Sequence, residues 1–293
     1  MPFANDGREQ HQSALDRLSE STLIHMVQIV LRTLKKVLPT RLANIYRQVF
    51  AGDNPPVGEF FPVQNGSTKN FSGGEFGELL SNHRGRQITK WIHFISIYEE
   101  LLASYKMAQT DSSSPLRLLE IGVARGGSLE IWKKYFGESA MIYGIDVDER
   151  CKEISIPGAQ IRIGSQADEK FLLSVIDELG RPQIIIDDGS HHSDHLSLTL
   201  KILWPHLQDG GIYIIEDTHT SYWKDHGGGY QKSQTIIEFA KDAIDTLHQS
   251  YTRRKMPNRT AFLKDSLASI TYFDSIIVLR KAKTSVPQRV SFE

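Results

Sequence analysis

A chain of 293 residues that is 40% hydrophobic and 9% aromatic is long and apolar enough to bury a large core in one main domain with an appendage, and reads as a globular, enzyme-sized protein. Its 34 basic and 35 acidic side chains leave a formal net charge of -1, which excludes a global attraction to nucleic acid or to anionic membranes and leaves only local polyanion sites. The lone cysteine, Cys151, can form no internal disulfide, and the first residues lack the basic, apolar and small-residue regions of a signal peptide, so a cytoplasmic location is expected.

Residues 22–37 repeat apolar side chains at helical spacing until Pro39 ends the run, which predicts an amphipathic helix. His25, Gln28, Arg32, Lys35 and Lys36 interrupt it, so it falls short of the roughly 20 apolar residues that a membrane-spanning helix needs. Its basic residues fit a solvated face opposite a packed or dimerising face better than a membrane-surface contact, and self-association through this helix is the expectation. Residues 52–77 are dense in Gly, Pro, Asn and Ser and read as a linker or loop leading into a helix over about 89–106. A polar break over 109–115 then divides an N-terminal helical extension and linker, 1–110, from a catalytic domain, 111–293.

From Leu116 onward short apolar runs alternate with helical patterns, the signature of βαβ units and a parallel sheet. Strands are predicted at 117–121, 141–145, 160–163, 183–187 and 211–215, with helices near 128–136, 168–179, 194–207 and 234–249. Residues 269–273 and 275–280 are two β-rich runs separated by Asp274 and read as a hairpin closing the sheet edge. Five parallel strands followed by a hairpin is an order that resembles the Rossmann-like seven-stranded α/β sheet of class I methyltransferases more than that of a dinucleotide dehydrogenase.

The first strand runs through Glu120 into a turn bearing Gly122, Gly126 and Gly127 that opens a helix. Glycines let a ligand approach the backbone closely, and the helix start offers free N–H groups. Ala124 stands where the second glycine of a dinucleotide fingerprint would be, which argues against NAD, and the turn resembles the E-x-G-x-x-x-G loop of methyltransferases that wraps the methionine moiety of S-adenosylmethionine. The second strand leads to Asp146, 24 positions after Gly122, where a carboxylate can accept hydrogen bonds from two ribose hydroxyls. After the third strand come Gln166 and Asp168, at the place where methyltransferases put adenine-contacting side chains; capping of the next helix is an equal reading for Asp168. Cys151 is expected to be a packed small residue.

The fourth and fifth strands deliver Asp187-Asp188-Gly189-Ser190-His191-His192 and Glu216-Asp217-Thr218-His219-Thr220-Ser221-Tyr222-Trp223 to the carboxyl edge of the sheet, where ligands of open α/β sheets bind. Four converging carboxylates repel one another, and a divalent cation relieves that repulsion; oxygen ligation suits Mg²⁺, Mn²⁺ or Ca²⁺ and not a structural zinc.

These two segments, together with the glycine turn, resemble those of the metal-dependent macrolide sugar O-methyltransferases, with cephalosporin-hydroxylase-like proteins as more distant kin. The match covers about 116–223. The resemblance implies that Asp188, Glu216 and Asp217 hold Mg²⁺, that His191 is the catalytic base and that Asp187 lies nearer the cofactor, S-adenosylmethionine. A sugar hydroxyl is a poor nucleophile near neutrality, and a bound cation with an adjacent imidazole makes its alkylation feasible. The expected activity is therefore Mg²⁺-dependent methyl transfer to a hydroxyl of a sugar on a natural product or glycan, the partner being a small-molecule glycoside or diol. Two alternatives stand beside it, a catechol-like diol O-methyltransferase and a non-methylating protein of the same fold. His192, His195 and His219 read as surface or supporting groups, Tyr222 and Trp223 as either an acceptor-pocket wall or loop packing, and the Gly227-Gly228-Gly229 run as a mobile flap.

Overall fold

Five strands, β1 (Arg117–Ile121), β2 (Met141–Asp146), β3 (Ala159–Ile163), β4 (Ile184–Asp187) and β5 (Ile212–Ile215), form the parallel part of one seven-stranded sheet, and β6 (Leu267–Phe273) and β7 (Ile276–Lys281) complete it. The strand order is β3-β2-β1-β4-β5-β7-β6, with β7 antiparallel to both β5 and β6. The computed structural model describes residues 74–111, 114–253 and 258–292, all of which fall in one unit of the chain, Pro62–Glu293. The amphipathic helix expected at 22–37 and most of the linker lie outside the described residues. Among the described residues no helix is long and apolar enough to cross a membrane.

The alternation of side chains along each strand divides the core into two layers. Leu118, Ile142, Ile184, Ile186, Ile212, Ile214, Ile276 and Val278 face one cluster, while Leu119, Ile121, Tyr143, Ile145, Ile185, Tyr213, Ile215, Ile277 and Leu279 face the other. Because both faces are covered, the strands read as continuous apolar runs and not as alternating ones. The second face is packed by α4 (Glu169–Leu179), α5 (Ser193–Leu203) and α6 (Ile236–Leu247). The first is packed by α3 (Gly127–Phe136) together with α1 (Gly74–Ser81) and α2 (Ile92–Asp111), which precede the sheet in sequence. Phe76 of α1 stacks on Trp132 of α3 at 5.2 Å between ring centroids, and Tyr98 of α2 leans on both.

Element ends follow local chemistry. Gly126, at φ 82°, turns the chain into α3; the Asp168 carboxylate caps α4 by accepting the Lys170 and Phe171 N–H groups; Thr235 caps α6 through the Glu238 N–H. Two differences from the sequence reading have simple causes. Helix α1 begins inside the Gly/Ser-rich stretch read as a linker, held by the Phe76 ring in the core. Helix α5 stops at Leu203, four residues short of the expected end, because the chain tightens into a 3-10 turn around Pro205.

Candidate active site

The carboxyl ends of β1, β2, β4 and β5 surround one crevice, and its two halves are built differently. On the β1–β2 side, Gly122 adopts φ +95°, and a Cβ placed there would meet the carbonyl oxygen of Asp188 at 2.1 Å, so the turn rests directly on the loop after β4. Gly127 is similarly covered, its Cβ position lying 2.4 Å from the Gln87 carbonyl. The Asp146 carboxylate braces this turn: one oxygen accepts the Val123 and Ala124 N–H groups, both at 2.9 Å, and the other accepts the Asp148 N–H at 2.9 Å. A cavity of about 490 Å³ opens beside it, lined by Ala124, Asp146, Arg86, Arg125 and Arg150 among others.

Glu120 does not line that cavity. It is fully buried below the turn, where its carboxylate accepts the Ser128 hydroxyl at 2.7 Å. Burial pushes its carboxyl up to about 7, against the opposing pull of the Lys90 charge and the Ser128 hydrogen bond. Gln166 is also buried and works as a staple, donating to Asp187 and Thr199 and accepting the Ser190 N–H at 2.7 Å. Asp187 is fully buried, accepts from Gln166 and the Tyr213 hydroxyl, and is pushed up to about 7 by burial. Cys151 is buried with its thiol 3.4 Å from the Ala124 carbonyl, and burial raises its pKa to about 11, as suits a packed residue.

On the β4–β5 side the structure brings Asp188, His191 and Asp217 together: one donor atom from each lies within 4.8 Å of the others. The His191 Nε2 faces both carboxylates, 3.9 Å from Asp188 Oδ1 and 3.8 Å from Asp217 Oδ2, while its buried Nδ1 has no hydrogen-bond partner among the described residues. His191 and Asp217 sit at φ 56° and 52°, so two of the six left-handed non-glycine residues among those described belong to this cluster. Strained backbone of this kind persists where surrounding contacts impose it and gathers at functional sites. The two carboxylates, half-buried and turned toward one point with the imidazole beside them, have the chemistry to hold a divalent cation.

Glu216 has a different environment from its neighbour. It is 1% exposed, and it accepts hydrogen bonds from the Lys90 ammonium at 2.5 Å and from the Tyr98 hydroxyl. Burial and the Asp188 charge push its carboxyl up, and Lys90 opposes them. The same ammonium reaches Asp188 Oδ2 at 2.6 Å. Burial lowers the Lys90 pKa, but Asp188, Glu216 and Glu120 around it more than reverse that and raise it above the ordinary lysine value. The next residue, Trp91, donates its indole N–H to Asp217 Oδ1 at 2.7 Å and meets the His219 ring edge-on. His219 is itself fixed by Ser275, 2.5 Å from its Nδ1, and burial lowers its pKa.

Lys90, Trp91 and Tyr98 were not singled out from sequence. The signal available was indirect: four acids sent to one edge require cations, and a Lys-Trp pair opening a helix was a source as well as a metal. The Gly227–Gly229 run is hydrogen-bonded into the loop, Gly228 and Gly229 donating to the Trp223 and Ser221 carbonyls at 2.7 and 2.8 Å. Trp223 packs edge-on against His219 and His226, while Tyr222 is exposed.

No family model matches the chain. Known proteins do. The chain is 31% identical over 224 residues to the 8-demethyl-8-(2-methoxy-alpha-L-rhamnosyl)-tetracenomycin-C 3'-O-methyltransferase of Streptomyces olivaceus, covering 72% of this chain and 55% of that one. It is 32% identical over 182 residues to the mycinamicin VI 2''-O-methyltransferase of Micromonospora griseorubida, covering 57% and 44%. Among solved structures, MycE methyltransferase from the mycinamycin biosynthetic pathway, in complex with Mg, SAH and mycinamycin VI, superposes with a TM-score of 0.57 at 28% identity over 65% of this chain and 49% of that one. The chain thus spans about half the length of the curated relatives it matches. Over the region that they share, the chain is thus similar in sequence and in fold to sugar O-methyltransferases such as mycinamicin VI 2''-O-methyltransferase.

Proposed function

We propose that this protein transfers a methyl group from S-adenosylmethionine to a hydroxyl of a sugar on a natural product or glycan, with Mg²⁺ at the β4–β5 tips. The observation that carries this reading is the meeting of Asp188, His191 and Asp217 within 4.8 Å, against a glycine turn whose Gly122 touches Asp188. The relatives named above methylate sugars, and the MycE complex contains Mg and SAH.

In this reading Gly122, Gly126, Asp146, Gln166 and Asp187 shape the cofactor side, Asp146 through the lone pairs that its three backbone N–H contacts leave free, and Asp168 acts only as a helix cap. Asp188, Glu216 and Asp217 hold the cation. When bound, S-adenosylmethionine supplies the methyl group and Mg²⁺ supplies positive charge that makes an acceptor hydroxyl easier to deprotonate. His191 takes that proton on Nε2, the nitrogen that faces Asp188 and Asp217, and the two carboxylates stabilise the imidazolium that results. Trp91, by donating to one Asp217 oxygen, leaves the other directed at His191.

The test is a methyl-transfer screen over glycosides and diols with labelled S-adenosylmethionine. Transfer to a glycosyl hydroxyl that stops with chelator and returns with added Mg²⁺ supports the reading. Transfer indifferent to chelator removes the cation from it, and calorimetric preference for NAD over S-adenosylhomocysteine overturns the cofactor.

A further inference from the structure

We infer that Lys90 is a tethered stand-in for the divalent cation: its ammonium fills the space between Asp188 and Glu216 in the metal-free protein and leaves when a divalent ion binds. The inference rests on the metal reading above and adds a component to it.

The Lys90 nitrogen lies 2.6 Å from Asp188 Oδ2 and 2.5 Å from Glu216 Oε1, with its side chain 7% exposed. Two oxygens so close to one nitrogen are at most about 5 Å apart. An ion ligated by both oxygens at the ~2.1 Å typical of Mg²⁺ would need that same volume, so ammonium and ion exclude each other there. The arrangement also solves a problem that the metal-free protein faces. Asp188, Glu216 and Asp217 converge in a partly dry crevice, and without a cation their mutual repulsion and the burial of Glu216 would be uncompensated.

Lysine suits the task because its charge rides on a flexible four-carbon stem, so it can withdraw without dragging the backbone. Its position matters as well. Lys90 lies just ahead of α2, on a segment anchored elsewhere by the Arg86 N–H on Glu130 and by Gln87 against Gly127, so the side chain can move while its base stays fixed. Tyr98 stays hydrogen-bonded to Glu216 in either state and keeps that carboxylate oriented.

The experiment uses the full chain and MgCl2 or MnCl2 alone, without cofactor or acceptor. Calorimetry should show Lys90→Met and Lys90→Gln binding the metal about tenfold or more tightly than the parent, since a competing positive charge has gone. Separately, reductive methylation of the parent protein, read at Lys90 by mass spectrometry, should be low in chelator and rise several-fold on saturation with Mn²⁺. Equal or weaker metal affinity in both variants overturns the inference, and so does labelling of Lys90 that ignores the metal. S-adenosylhomocysteine binding reports whether the variants fold; if they do not, the labelling of the parent protein decides alone. If no metal binds to the parent or to folded variants, the metal reading itself fails and takes this inference with it.

Discussion

The two halves of the crevice reach order by opposite means. The β1–β2 half is made largely of backbone: glycines at Gly122 and Gly127 lie against the carbonyl oxygens of Asp188 and Gln87, and the Asp146 carboxylate gathers three N–H groups. The β4–β5 half is made of side chains, and three of them, Lys90, Trp91 and Tyr98, come from a segment that precedes the sheet. A backbone-built turn is pre-formed and needs no cation to hold its shape. A pocket built of carboxylates depends on cations brought from far away in sequence, and so its chemistry can be switched by exchanging them.

That contrast can be broken most forcefully at His191. His191→Ala should lower turnover by about 10²- to 10⁴-fold, the range general-base removal commonly costs, while calorimetry finds S-adenosylhomocysteine affinity unchanged. Loss of both together would mean that the halves are not separable. Gly122→Ala tests the wall they share. A Cβ 2.1 Å from the Asp188 carbonyl, on a residue at φ +95°, should destabilise the protein by about 2–5 kcal/mol in denaturant melts and impair both halves. Near-parental stability would show that the turn can move away from the β4 loop.

A smaller effect should come from Glu120, whose folded-state pKa of about 7 lies above the ordinary carboxylate value. The folded state then holds the proton more tightly than the unfolded chain. Glu120 therefore contributes most below about pH 4.5, and its contribution is lost as pH rises toward about 7. Glu120→Gln, which mimics the protonated form, should remove this dependence, so that between pH 5 and pH 8 the parent loses about 2–3 kcal/mol relative to the variant. Parallel stability curves for the two proteins would place no proton on Glu120.

How much of this could be read from sequence follows the same division. Strand positions were legible to within two residues because doubly covered strands are unbroken apolar runs, as in Ile184–Ile185–Ile186, and the caps Asp168 and Gly126 announce themselves locally. The strand-tip acids and His191 were legible for the same reason: a tip's neighbours are fixed by strand order. What stayed hidden was long-range. Nothing near Lys90 indicates partners 98 and 126 positions away, and read by periodicity it is simply a polar residue opening a helix. Glu216 and Asp217, adjacent in sequence, looked alike, yet the end of β5 sends one into the core and leaves the other in the crevice. Helix α1 was missed because its Gly and Ser neighbours mimic a linker, and only the rings of Tyr98, Trp132 and Tyr135 in the core give Phe76 its place.

The siting of Lys90 and Tyr98 ahead of β1 has a practical consequence for cutting the chain. The tidy place to truncate is the polar stretch before Leu116, yet a fragment starting there would lose the ammonium and the hydroxyl that Glu216 leans on and would lay bare the surface that Phe94, Tyr98 and Leu102 cover. Such a fragment would keep every strand of the sheet and still be chemically lopsided. A start ahead of Gly74 retains both helices and, with them, the charge balance of the crevice.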